Sequence, residues 1–210
     1  MPKLRVHNFT ISLDGFAAGP HQRRDAPFGD GADGLHDWMF ATRTMYGPGG
    51  VEGLDNEFVV RSEAGIGATI MGRNMFGPVR GPWQDESWKG WWGDNPPFHH
   101  DVFVLTHHLR PSLPMEGGTT FHFTDGSPEA VLRRAFEAAD GQDVRLGGGA
   151  ATIQQFLRAG LVDEMHVVIV PMFIGAGERL FDNLSGGLDG YEVVELTSSQ
   201  AVTHAVVKRR

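Results

Sequence analysis

The stretch that most constrains the fold is 143–173, DVRLGGGAATIQQFLRAGLVDEMHVVIVPMF. A short apolar run at 144–146 passes through Gly147-Gly148-Gly149 into a segment with apolar residues at Ile153, Phe156, Leu157 and Leu161. That pattern reads as strand, glycine turn and helix. Gly160 stops the helix, and 162–170 reads as a second, largely apolar strand, so the piece predicts a βαβ unit with a parallel pair. Three glycines remove every Cβ at the turn, which lets the backbone take positive φ and approach a ligand closely. The N–H groups at the helix start, with the positive end of its dipole, favour a phosphate or another anion there. Taken alone, the glycines fit a tight turn with close helix packing equally well.

The remaining segments extend this unit into a sheet. The alternation of Leu4, Val6, Phe9, Ile11 and Leu13 predicts a first strand over 4–13 ending at Asp14-Gly15. Residues 16–30, rich in glycine, proline and charge, read as a loop. A helix is predicted over 33–40, capped by Asp33 and carrying Leu35, Trp38 and Met39 on one face. A second follows over 55–64, with Phe58, Val59 and Ser62 inward. Strands are predicted at 68–71, 102–105 and 119–123, the first running into Gly72-Arg73 and at most one helical turn at 74–77. Ser127-Pro128-Glu129 is a strong helix start, with cap, first-turn proline and acid in succession, and Gly141 closes that helix. Two alternating strands, 191–197 and 201–208, read as a terminal hairpin. The class is therefore α/β, a mainly parallel sheet flanked by helices with an antiparallel C-terminal hairpin, in one domain over 1–210.

Composition narrows the partners. No cysteine is present, which excludes disulfides and thiolate metal sites and suits a reducing cytoplasm. No apolar run is long enough to span a bilayer. A formal net charge of −8 disfavours nucleic acid, whose binding needs a basic surface, and favours a small-molecule partner. His99-His100 and His107-His108 lack the i, i+4 spacing of a helical zinc site, so no metal is expected. Four of the five tryptophans fall in 82–100. They form either a satellite core under a long loop or an aromatic lid that stacks on a flat heterocycle.

In open α/β sheets ligands bind beyond the carboxyl ends of the strands. Gly72-Arg73, Thr106-His107 and the three glycines all stand at such ends, and together they suit a dinucleotide with a 2′-phosphate. The succession ISLDG, TIMGRNMFG, VFVLTHH, VRLGGGAATIQQFL and VDEMHVVIVPMFIGAGERLF resembles the dihydrofolate reductase superfamily, and within it the reductase domain of the bifunctional riboflavin-biosynthesis enzyme. The resemblance covers nearly the whole chain. It implies an NADPH-dependent reductase and a homodimer. In it Gly72 and Arg73 lie by the adenosine phosphates, Thr106 and His107 on the adenosine side, Gly147, Gly148, Gly149, Ala150 and Ala151 at the pyrophosphate, and Asp14, Ala17 and Ala18 by the nicotinamide. Leu35, Trp38, Trp91 and Trp92 are the candidate substrate contacts.

Two departures stand out. Met75 occupies the place of a phosphate-binding threonine, and Leu35 the place of the carboxylate that folate reductases carry three residues before a helix tryptophan. Asp14 is then the candidate proton relay, although an aspartate before a glycine is also an ordinary turn residue. Arg73 could equally be a surface ion-pair partner. The resulting reading is hydride transfer from NADPH to a pterin or pyrimidine, the alternative being a nucleotide-binding protein that kept the fold and lost the acid.

Overall fold

The computed structural model describes residues 1–77, 80–184 and 188–210. In chain order the strands are β1 (Leu4–Ser12), β2 (Phe16–Ala18), β3 (Ile66–Gly72), β4 (Asp101–Leu105), β5 (Leu113–Pro114), β6 (Thr120–Thr124), β7 (Asp143–Gly148), β8 (Glu164–Val170), β9 (Glu178–Arg179), β10 (Tyr191–Ser198) and β11 (Thr203–Arg209). The helices are α1 (Asp37–Phe40), α2 (Arg43–Tyr46), α3 (Leu54–Glu63), α4 (Arg73–Phe76), α5 (Pro128–Ala138) and α6 (Ala150–Arg158).

Nine strands form one sheet in the order β10-β11-β8-β1-β7-β3-β4-β6-β5. β8, β1, β7, β3, β4 and β6 run parallel, and the β10–β11 hairpin joins β8 antiparallel. This is the mainly parallel sheet with an antiparallel C-terminal hairpin that the segment order predicts. Because the six parallel strands share one direction, Ser12, Gly72, Leu105, Thr124, Gly148 and Val170 all reach the same edge. On that edge β2 and β9 pair in a separate two-stranded sheet.

The apolar spacing of β1 has a structural cause. Asn8 adopts φ 52°, and the register with β8 shifts between Val6 and Phe9. This bulge resets the alternation, so Leu4 and Val6 before it and Phe9 and Ile11 after it enter the same core. α5 and α6 cover that core with Val131, Leu132, Ala135, Ile153, Phe156 and Leu157. Both helices end as their sequences predict. Ser127 Oγ accepts the Ala130 N–H at 3.3 Å, a cap worth about 1 kcal/mol. After α6, Gly160 at φ 66° lets the Leu161 N–H reach the Phe156 carbonyl at 3.0 Å and its own N–H reach that of Leu157 at 3.0 Å, a paired C-terminal closure that needs a left-handed residue.

The rest of the interior is divided. Trp38 and Val59 pack on Val168 and Val202, bringing α1 and α3 onto β8 and the hairpin turn. Around β3, β4 and β6, Met71, Val102, Val104 and Phe121 are covered by Phe76 of α4 and by Trp83, Trp88, Trp92 and Phe98.

Two expectations are corrected, and one short strand is new. The helix predicted over 33–40 is only α1, with His36 at its N-cap and no side-chain cap, because Gly34 at φ 83° interrupts any earlier helical turn. The predicted loop 16–30 contains β2, which is too short to show an alternation. β5 is likewise a two-residue strand that no periodicity could announce.

Candidate cofactor site and active site

β3 and β7 are neighbours, with Ile70 opposite Leu146 and Met71 opposite Gly148. Gly72 and Gly148 therefore leave the sheet side by side. A Cβ on Gly72 would collide with the Thr152 hydroxyl of α6 and approach the Gly148 carbonyl to 3.4 Å. Glycine at 72 thus lets the start of α6 close onto the end of β3. Gly148 has φ 119°, and a Cβ there would meet the Phe9 ring at 2.9 Å. Gly149 is the opposite case, since nothing lies within 4 Å of the Cβ it lacks. The Thr152 and Ile153 N–H groups bond back to the Gly149 carbonyl at 3.0 and 3.1 Å. The first-turn donors of Ala150 and Ala151 are left beside that open space. The cradle predicted over 147–151 is thus assembled, closely packed on one side and open at Gly149.

Arg73 opens α4 next to this cradle. Its guanidinium carbon lies 3.4 Å from the centroid of the Trp83 ring. Among the described residues, Nε and Nη1 are buried with no hydrogen-bond partner. Burial, and then the charge of Arg110, push its pKa down to about 10. Arg110 lies against the same indole at 4.9 Å and against Phe123 at 4.7 Å, and it donates to the Trp88 carbonyl at 3.1 Å. The Trp83 Nε1–H donates to the His108 carbonyl at 2.6 Å, which ties the tryptophan segment to the end of β4. Met75, where a threonine was expected, packs against this second core and reaches within 3.1 Å of the position a Gly147 Cβ would take. The hydroxyl standing at this junction belongs instead to Thr152, which is buried.

Thr106 and His107 follow β4, which pairs with β3 through Gly72 and Leu105, so they lie on the same edge. The Thr106 hydroxyl is engaged locally, accepting the His108 N–H at 3.0 Å, and His107 is exposed. Ala17 and Ala18 sit in β2 against β9.

Asp14 receives three hydrogen bonds. The Ser12 hydroxyl donates at 2.5 Å, the Gly175 N–H at 2.8 Å and the Ile174 N–H at 3.2 Å. They hold its pKa below the usual aspartate value, the Ser12 hydroxyl contributing most. A carboxylate so stabilised is a poor proton donor at neutral pH. It fastens the 174–175 loop to the end of β1.

The substrate candidates separate. Trp38 is buried, its Nε1–H donating to Thr10 Oγ1 at 3.0 Å and its ring edge-on to His204 at 5.5 Å. It is a core side chain rather than a ligand contact. Trp92 stacks on Phe121 at 6.0 Å and meets Phe98 edge-on at 4.9 Å, so it too is packing. Trp91 stays outside that cluster, edge-on to Trp88 at 4.8 Å. The satellite-core reading of 82–100 therefore accounts for Trp83, Trp88 and Trp92. Leu35 is fully buried and lines a cavity of about 140 Å³ with Phe28, His36 and Phe40.

Sequence reasoning missed Trp83, Arg110 and Thr152 as members of the edge cluster. For Arg110 the available signal was a cation in the loop directly after a strand end, in LTHHLRP. Trp83 and Thr152 carried no such signal.

A family model described as the RibD C-terminal domain matches residues 2–208. The chain belongs to that family. A curated relative, the uncharacterized protein YwjB of Bacillus subtilis (strain 168), is 29% identical over 91 residues, covering 37% of this chain and 52% of that protein. The chain thus spans about half the length of the curated relative it matches. Among solved structures, a protein named for riboflavin biosynthesis from Shewanella sp. PV-4 is 22% identical with a TM-score of 0.62, over 100% of this chain and 99% of that one. Dihydrofolate reductase from Enterococcus faecalis, complexed with NADP(H) and RAB-propyl, is 15% identical with a TM-score of 0.51, over 99% of this chain and 96% of that one. Members of the RibD C-terminal family and dihydrofolate reductase therefore share this chain's fold. Among the described residues no helix is long and apolar enough to cross a membrane.

Proposed function

We propose that the chain is an NADPH-dependent reductase that passes hydride to a small flat heterocycle, a pterin or pyrimidine of the folate or riboflavin type. The observation that carries this reading is the pair of partnerless buried nitrogens on Arg73, in the segment packed on the glycine cradle. A partly buried guanidinium with two nitrogens lacking an acceptor among the described residues is costly, and a phosphate on the ligand relieves that cost. In this reading Arg73 takes the 2′-phosphate, and the Ala150 and Ala151 N–H groups with Gly149 take the pyrophosphate. Asp14 positions the 174–175 loop beside the nicotinamide. NADPH, when bound, supplies the hydride, and the protein's share is binding, orientation and exclusion of water.

The chain further acts as a homodimer. β10 is an edge strand with Val193, Val194 and Leu196 exposed, and an apolar open edge invites pairing with another copy. Light scattering at micromolar concentration should report twice the chain mass, and a monomer refutes this part.

A second reading is favoured by Leu35 and by the hydrogen bonds that hold Asp14 ionised. In it the chain binds the nucleotide without turning over a substrate. Loss of reduced-nicotinamide absorbance with a panel of dihydropterins and aminopyrimidines separates the two. Oxidation with any of them supports the reductase, and tight NADPH binding with none supports the binder.

A further inference from the structure

Two cations share one aromatic ring at the strand-end edge. Arg73 lies 3.4 Å and Arg110 4.9 Å from the Trp83 centroid. The ring offsets part of the cost of burying each charge, but a neutral ring does not remove the repulsion between them. That repulsion lowers the pKa of Arg73. Arg110 is lowered by burial alone, because Glu86 and Asp85 act on it in the opposite direction. Arg110 spends one nitrogen on the Trp88 carbonyl, and among the described residues Arg73 keeps Nε and Nη1 unpaired. Two guanidinium groups packed against one indole, with donors left over, offer charge for a dianion.

We propose that Arg110 is a second cation for the phosphate assigned to Arg73, and that Trp83 is the shelf holding both forks in place. This rests on the NADPH reading above and adds to it the residues that set selectivity for a 2′-phosphorylated adenosine. Trp83 is fixed in turn by its bond to the His108 carbonyl, so the tryptophan segment belongs to the cofactor site at this end and not to a substrate lid.

The test uses the full chain and two probes, adenosine 2′,5′-bisphosphate and 5′-AMP, with dissociation constants from calorimetry. The wild type should prefer the bisphosphate. Arg110→Gln should weaken it about tenfold or more, the range for a lost charge-assisted bond, and leave 5′-AMP unchanged. Arg110→Lys keeps the charge without the fork and should fall between the two. Trp83→Leu should weaken the bisphosphate selectively while both arginines remain. If the wild type shows no preference for the bisphosphate, the NADPH reading falls and this inference with it. If Arg73→Gln loses the preference and Arg110→Gln retains it, the role of Arg110 is overturned and the NADPH reading stands. Equal loss of both probes in Arg110→Gln also overturns it, since that marks a general disturbance of the site.

Discussion

The histidine network under α3 and the Arg73 cluster at the strand-end edge both bury nitrogen, and they treat it in opposite ways. Under α3, the Asp55 carboxylate accepts from His204 Nε2–H at 2.8 Å. His204 Nδ1 is then free to accept from His166 Nε2–H at 3.0 Å, and His166 Nδ1 from the Asn8 backbone N–H at 3.3 Å. The negative charge at one end fixes the tautomer of each ring in turn. Phe58 stacks on both imidazoles, 4.4 Å from one and 4.1 Å from the other. Every ring nitrogen has a polar neighbour at hydrogen-bond distance, His166 Nδ1 facing both the Asn8 N–H at 3.3 Å and the Asn8 Oδ1 at 3.1 Å. At the strand-end edge, Arg73 is the residue that, among those described, has two buried nitrogens without a partner. A satisfied buried network holds a fold together, whereas an unsatisfied one stores a cost that a ligand can relieve. Single buried nitrogens without a partner among the described residues also occur at His7, His36 and Arg145, so what marks Arg73 is the pair of them beside the glycine turn.

The comparison can be broken first at the tryptophans. Trp92 is part of the packing against Phe121 and Phe98, so Trp92→Ala should cost about 3 kcal/mol in urea unfolding. Trp91→Ala should stay within about 0.5 kcal/mol, as for a surface change. Equal costs would return the whole segment to the lid reading.

Next is the closed network. Asp55→Ala strands the His204 Nε2–H in a fully buried ring and should destabilise by about 1–3 kcal/mol while leaving NADPH affinity untouched. If cofactor affinity drops with stability, the network is not purely architectural.

Acid sharpens the same point. Burial, first, and then neighbouring positive charge hold His166 down to about 3 from its ordinary 6.5. Burial alone holds His36 at about 4. The folded protein keeps these rings neutral while the unfolded chain protonates them below pH 6.5. Stability is therefore full above that value and falls as pH drops toward the folded pKa. The slope is about 1.4 kcal/mol per pH unit for each ring that stays neutral. Urea midpoints at pH 7 and pH 5 should show the fall, and a flat profile would mean that these rings charge freely in the folded state.

The smallest effect is expected at Asp14. Asp14→Asn should loosen the 174–175 loop and leave the pH profile of turnover unchanged, because the carboxylate orients and does not titrate in the working range. A displaced pH profile would restore the proton-relay role.

Much of this was legible in the residues. The βαβ unit, the Ser127 cap and the stop at Gly160 are local, and local chemistry decides them. Even the bulge at Asn8 left a trace, since Val6 and Phe9 are three apart where strict alternation needs two. What stayed hidden depends on contacts between distant segments. β2 meets β9 across some 160 residues with only two or three residues on each side, too few for a period. Arg73 was visible as a candidate from its place after β3. Its orphaned nitrogens were not, because Trp83 and Arg110 reach it from two separate loops. Trp38 misled for the converse reason. The resemblance makes it a substrate candidate, three residues after Leu35, while Thr10 and His204 hold it in the interior.

The central claim is that the unsatisfied guanidinium of Arg73 is a phosphate receptor, and the direct measurement is a pair of affinities. NADPH and NADH should be titrated against the wild type and Arg73→Ala, with dissociation constants read from tryptophan fluorescence or calorimetry. The account predicts that the substitution weakens NADPH by about tenfold or more, the value of a lost charge-assisted bond, while NADH binding stays as it was. Equal weakening of both cofactors, or of neither, would contradict it.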